Sequence, residues 1–157
     1  MARRRKAERR EVQTDALYES PIVARLVNTI MKGGKKSVAS RIVYRAIDEV
    51  NKNNQGGDPL EIFTKAIENA KPRIEVKARR VGGATYQVPM EVPAERQLAL
   101  ALRWIVDSSN KRKGTPMSKA LAQEIRDAAS GQGNVIKKRD DVHRMAQANR
   151  AFAHLRW

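Results

Sequence analysis

The chain has 157 residues, and its 32 Lys+Arg against 17 Asp+Glu leave a formal net charge of +15 and a sequence pI near 10.7. A 41% hydrophobic content is enough for a core, so one folded domain is expected rather than wholesale disorder. The absence of cysteine excludes disulfides, thiolate metal sites and cysteine chemistry, and no apolar run approaches the roughly 20 residues of a bilayer span.

Residues 1–11 read as a basic arm, in which Arg3, Arg4, Arg5, Lys6, Arg9 and Arg10 are diluted only by Glu8 and Glu11. No apolar segment follows them to act as a signal peptide, and a cytoplasmic chain is expected. An excess of this size points to a polyanionic partner, either nucleic acid or an anionic membrane surface. The remainder, 12–157, contains no linker or repeat that would divide it, and a single helical domain is expected.

Ser20-Pro21 supplies an N-cap and a proline at the first helical position, and Ile22, Val23, Leu26, Val27 and Ile30 repeat at helical spacing before Gly33-Gly34. A second helix follows, with Val38, Ala39, Ile42, Val43, Ala46, Ile47 and Val50 on its apolar face, and breaks at Asn53 to Gly57. Asp58-Pro59-Leu60-Glu61 has the cap, proline and acid of a helix start, and Pro72 closes the third helix.

The period then changes from helical to twofold. Arg73, Glu75, Lys77 and Arg79 alternate with Ile74, Val76 and Ala78, Gly82-Gly83 permits a turn, and Ala84, Tyr86, Val88 and Met90 alternate back. This predicts a hairpin at about 73–90 that leans on helices at its base and projects a basic tip. Pro93 restarts helix, and the run from Leu98 to Val106 is apolar almost all round, as expected of a central helix. Lys111, Arg112 and Lys113 form a basic loop before Thr115-Pro116 opens a fifth helix with Met117, Ala120, Leu121, Ile125 and Ala128 inward. A sixth is predicted from near Asn134, placing Val135, Val142, Met145, Ala146, Asn149 and Phe152 inward and Lys137, Lys138, Arg144 and His154 outward. The fold class is therefore mainly α: six helices, one protruding β-hairpin and a basic arm.

Chemistry is hard to assemble from these residues. Gly33-Gly34-Lys35-Lys36-Ser37 lacks the glycine that a phosphate-binding loop needs, since position 29 is Thr, and it follows a helix rather than a strand. It reads as an interhelical turn, or as free helix-start amides beside Lys35 and Lys36 that grip a phosphate of a larger nucleic acid. His143 and His154 are too far apart on a helix to share a metal, and Asp140-Asp141 read as i,i+4 partners of Lys137 rather than an acid/base pair. No catalytic set, metal, cofactor or small-molecule substrate is expected. Aromatic residues are too few for a base-stacking platform, so backbone and shape recognition of folded RNA or duplex fits better, and the apolar faces are committed to a core rather than to a membrane.

Several strings are specific. Glu75 through Arg79-Arg80-Val81-Gly82-Gly83-Ala84 to Glu91, Leu102-Arg103-Trp104-Ile105, the ending from Lys137 through Val142 to Trp157, the Ala2 to Arg5 start and Ile30 to Lys36 resemble the bacterial form of small ribosomal subunit protein seven along essentially the whole chain. The resemblance implies a primary binder of 16S ribosomal RNA that sits on a multi-helix junction of the 3′ major domain and nucleates the head of the subunit. It implies neighbours as well: exit-site transfer RNA, the messenger exit path, and ribosomal proteins nine and eleven. By position, it implies ribosomal RNA contacts for the arm cations, Lys35, Lys36, Lys77, Arg79, Arg80, Arg96, Lys113, Lys137 and Lys138. Gly82, Gly83, Ala84, Tyr86, Arg144 and Asn149 are implied to face transfer and messenger RNA. Glu95 stands where many relatives are more basic, so a contact at the start of the fourth helix would rest on Arg96 alone.

Overall fold

The computed structural model describes residues 13–52, 58 and 60–155. Its elements in chain order are α1 (Pro21–Ile30), α2 (Lys36–Asn51), α3 (Glu61–Ala70), β1 (Ile74–Val81), β2 (Ala84–Glu91), α4 (Ala94–Lys111), α5 (Met117–Ala129), α6 (Gly133–Ala148) and a 3₁₀ helix (Arg150–Leu155). The basic arm and the Asn53 to Gly57 break lie outside the described residues.

Helix starts follow proline more than side-chain capping. Ser20 is the N-cap of α1 with extended backbone and Pro21 at the first position, yet its hydroxyl makes no capping bond. Asp58 does cap, its Oδ1 accepting the Leu60 N–H at 2.9 Å, although α3 proper begins at Glu61. Pro116 sits at the N-cap of α5 rather than inside it. Between α1 and α2, Gly33 and Gly34 take φ of 58° and 74°, a left-handed region that side chains with a Cβ enter only with strain.

All six α-helices contribute to one core. Leu26, Ile47, Ile67, Ile105, Leu121 and Ile125 are fully buried, each worth about 1.5–3 kcal/mol of burial. The centre is shared rather than held by α4 alone. α5 packs on α2, α3, α4 and α6, and α4 packs on α1, α3, α5 and α6, so α4 is buried on several sides as expected while Ala99, Arg103 and Asp107 stay exposed. Two residues placed inward from the sequence are outward: Val38 in the first turn of α2 is 50% exposed and Met145 is 53% exposed. Ile136, flanked by Lys137 and Lys138, takes an inward position instead. The last helix is not continuous, because α6 ends at Ala148 and the chain tightens to 3₁₀ geometry, which carries Phe152 and His154. The carboxylates of Asp140 and Asp141 pair with Arg139 and Arg144 rather than with Lys137.

The pairing register fixes which faces of the two strands meet. Two residues, Gly82 and Gly83 with φ of 56° and 90°, join strands in which Val81 pairs with Ala84 and Arg79 with Tyr86. Odd positions of β1 thus face even positions of β2. The charged side of β1 and the apolar side of β2 share one face, where Val88 is fully buried and Glu75 nearly so, while Ile74 and Ala78 on the other face are exposed.

The base of the hairpin is pinned from two directions. The Arg73 N–H donates to His143 Nε2 of α6 at 2.9 Å, and the Val92 N–H donates to the Arg73 carbonyl at 3.0 Å. Burial, reinforced by the nearby positive charge of Arg139, lowers the His143 pKa against the smaller opposing pull of Asp140. A histidine with a lowered folded pKa contributes stability fully above its unfolded value of about 6.5 and loses it as pH falls through the folded value. The amide protection of Arg73 is therefore expected to fall on acidification below about pH 6.5, with His143→Ala showing low protection at every pH. Hydrogen exchange read by NMR checks this, and protection that is flat from pH 7.5 to 5 would refute it.

Candidate nucleic-acid interface

The root of the basic arm is fixed by a carboxylate clasp. Asp15 is buried, its Oδ2 accepts the Leu17 and Tyr18 N–H groups at 3.1 Å, and its Oδ1 accepts the Tyr44 hydroxyl at 2.5 Å. Burial pushes the Asp15 carboxyl up, but the bonds from Tyr44, Tyr18 and Leu17 outweigh it and hold the group below its usual range. Tyr18 in turn donates to Asp48 at 3.2 Å, and burial with that carboxylate lifts its phenol to about 12. Asp15 to Tyr18 are thus tied to α2, while Arg3, Arg4, Arg5, Lys6, Arg9 and Arg10 lie outside the described residues.

Lys35 and Lys36 are exposed where α2 begins without a side-chain cap. On the hairpin, Arg80 lies on the exposed face opposite Thr85, whereas Lys77 and Arg79 share the inward face and reach solvent at its edge. Lys77 Nζ is 3.6 Å from Glu75. Gly82, Gly83 and Ala84 form the exposed tip, but Tyr86 is half-buried with its ring 5.2 Å from that of Phe152. Lys113, Lys137 and Lys138 are exposed, and Lys138 Nζ lies 5.3 Å above the Trp104 ring, a cation–π contact that leaves its charge at the surface. Arg144 is exposed, and the Asn149 amide caps α6 by donating to the Met145 carbonyl at 2.8 Å.

Other arginines in the sequence clusters serve the protein itself. Arg96 forms a two-pronged bond to Glu75, Nε to Oε1 at 2.8 Å and Nη2 to Oε2 at 2.9 Å, tying α4 to the hairpin. That carboxylate raises the Arg96 pKa and neutralises the charge an RNA contact there would use. Arg112, the middle of the basic loop, turns inward, with Nε 2.7 Å from Glu124 and Nη2 2.8 Å from Asp127. Arg139 bonds Asp140 and the Asn69 carbonyl. Lysine, a flexible point charge, is left at the surface more often than the planar guanidinium, which suits fixed internal carboxylates.

Sequence reasoning missed one cationic groove. Arg25, Asn28 and Thr29 of α1 and Leu98, Leu102 and Arg103 of α4 line a depression of about 210 Å³. Arg25 and Arg103 stand on the polar sides of amphipathic helices, a visible signal, but the adjacency of α1 and α4 is a tertiary fact that periodicity does not carry. Among the described residues no cluster of three or more His, Cys, Asp or Glu could hold a metal, and no helix is long and apolar enough to cross a membrane.

The model of the family described as ribosomal protein S7p/S5e matches residues 2–150. The small ribosomal subunit protein uS7 of Akkermansia muciniphila is 59% identical over 157 residues, covering all of both chains. The uS7 proteins of Protochlamydia amoebophila, 51% identical over all of both chains, and Thermotoga neapolitana, 54% identical over 99% of both, are similar along the same length.

Proposed function

The chain belongs to the ribosomal protein S7p/S5e family, a structural, non-enzymatic component of the small ribosomal subunit, and from that premise we propose that it is a primary binder of 16S ribosomal RNA. It holds a junction of the 3′ major domain and nucleates assembly of the head. The observation that carries this reading is the placement of exposed cations on separate parts of one folded domain: Lys35 and Lys36, Arg80, Lys113, and Lys137 and Lys138. RNA segments that repel one another can each be neutralised from a different side, which fixes their mutual geometry. The hairpin tip, Gly82 to Ala84, and Arg144 extend this surface toward exit-site transfer RNA and departing messenger, with Tyr86 and Asn149 supporting the strand and helix that carry them. Ribosomal proteins nine and eleven are the protein neighbours.

Charge reversal of Arg79 and Arg80 together is expected to weaken binding to isolated head-domain RNA at least tenfold while leaving the circular dichroism of the helices unchanged. Loss of helicity would instead make the hairpin a structural brace. Chemical footprinting on that RNA tests partner and surface together: protection confined to the junction supports the proposal, and protection spread without pattern over unrelated helices defeats it.

A further inference from the structure

A cleft of about 590 Å³ opens between the base of the hairpin, α6 and the 3₁₀ helix. Ile74 and Met90, which belong to opposite faces of the hairpin, border it together with Ala146 of α6, and Ile74 remains 39% exposed. Arg73 and Arg150, both exposed, stand at it beside the carboxylate of Glu91. None of these residues is among those assigned above to the junction. We propose that the cleft takes one unstacked nucleotide of single-stranded RNA, base inward, a step that rests on the RNA-binding reading above.

The chemistry selects this occupant. The volume falls in the roughly 300–1,000 Å³ range of small-ligand pockets. An apolar lining accepts the face of a base, and the two guanidiniums take the phosphate that follows it. Glu91 repels a phosphate but accepts a base N–H, so it favours base-first insertion. The walls are also prebuilt. The main chain at Arg73 is held by its bonds to His143 and Val92, so the hairpin wall of the cleft needs little backbone ordering on binding.

The test uses the full chain with an unstructured pentaribonucleotide, reading the Ile74 and Met90 methyl resonances and fluorescence anisotropy. Saturable shifts at both methyls are expected. Ala153→Trp, which fills the cleft from an exposed position on the 3₁₀ helix without altering charge, is expected to weaken the pentamer at least tenfold. Ile74→Ser, also at an exposed position, is expected to weaken it severalfold. Unchanged affinity in both variants, or shifts confined to the lysine-rich surfaces, would overturn the proposal. So would methyls silent to RNA but moved by an acidic apolar decapeptide, which would reassign the cleft to a protein. Junction RNA is titrated in parallel. A chain that binds the junction while its cleft methyls stay silent loses the cleft alone; one that fills the cleft but ignores the junction loses the assembly role alone.

Discussion

Deletion of residues 2–10 is expected to flatten the dependence of log K on log salt for head-domain RNA by about three to five units. Each phosphate contact contributes roughly 0.7 to 0.9 to the slope, and the six arm cations can supply about four to six contacts. The loss is expected to dwarf that of any single body lysine, because the arm places its charges close together in sequence. A clean reference exists in the clasp at its root. Asp15→Asn keeps the arm charges but removes the carboxylate that gathers Tyr44 and the amides of Leu17 and Tyr18. The salt slope of this variant is expected to stay near that of the parent while affinity falls, since contacts are the same in number and only the launch direction is loosened. Filter binding from 50 to 400 mM salt checks both, and an unchanged slope on deletion would remove the arm from the interface.

How much of this was legible in the sequence depends on which physical rule governs each residue. Elements came through well because local rules set them: proline at helix starts, glycine at turns, and a change of period at Arg73. How the hairpin faces align was not drawn from the sequence, although the information was present. A two-residue turn at Gly82-Gly83 pairs 81 with 84, and parity then puts Tyr86 and Val88 on the side of Lys77 and Arg79. Val38 and Met145 failed for another reason. Helical periodicity marks an apolar stripe but not where the neighbouring helix stops covering it, and both lie beyond that cover.

Charge was the least local property. Lys113 and Arg112 are adjacent and alike in any sequence window, yet one meets solvent and the other Glu124. The same division separates Lys138 from Arg139. A cluster of cations in sequence is therefore a mixture of outward grips and inward struts. The carboxylates Glu75, Glu124, Asp127 and Asp140, which sort them, come from elsewhere in the fold or lie next door. The candidate RNA surface consists of the cations left after this sorting.

The strut at Arg112 carries the largest expected stability effect, and the effect is asymmetric. Glu124 is fully buried, and its second oxygen has no hydrogen-bond partner among the described residues, so Arg112 and its bonds to Oε1 are what compensate the buried charge. Arg112→Met strands that carboxylate in the interior and is expected to destabilise by about 3–5 kcal/mol. For a domain of this size, that lowers Tm by about 6–20 °C. Glu124→Met leaves Arg112 partly exposed and still bonded to Asp127, so the expected loss is only about 1 kcal/mol. The double variant is expected to recover most of the stability, because an apolar pair of similar volume needs no compensation. Urea unfolding of the three chains measures the cycle. Equal losses in the two single variants would show that the pair acts through packing alone, and loss of RNA affinity in folded Arg112→Met would return that guanidinium to the interface.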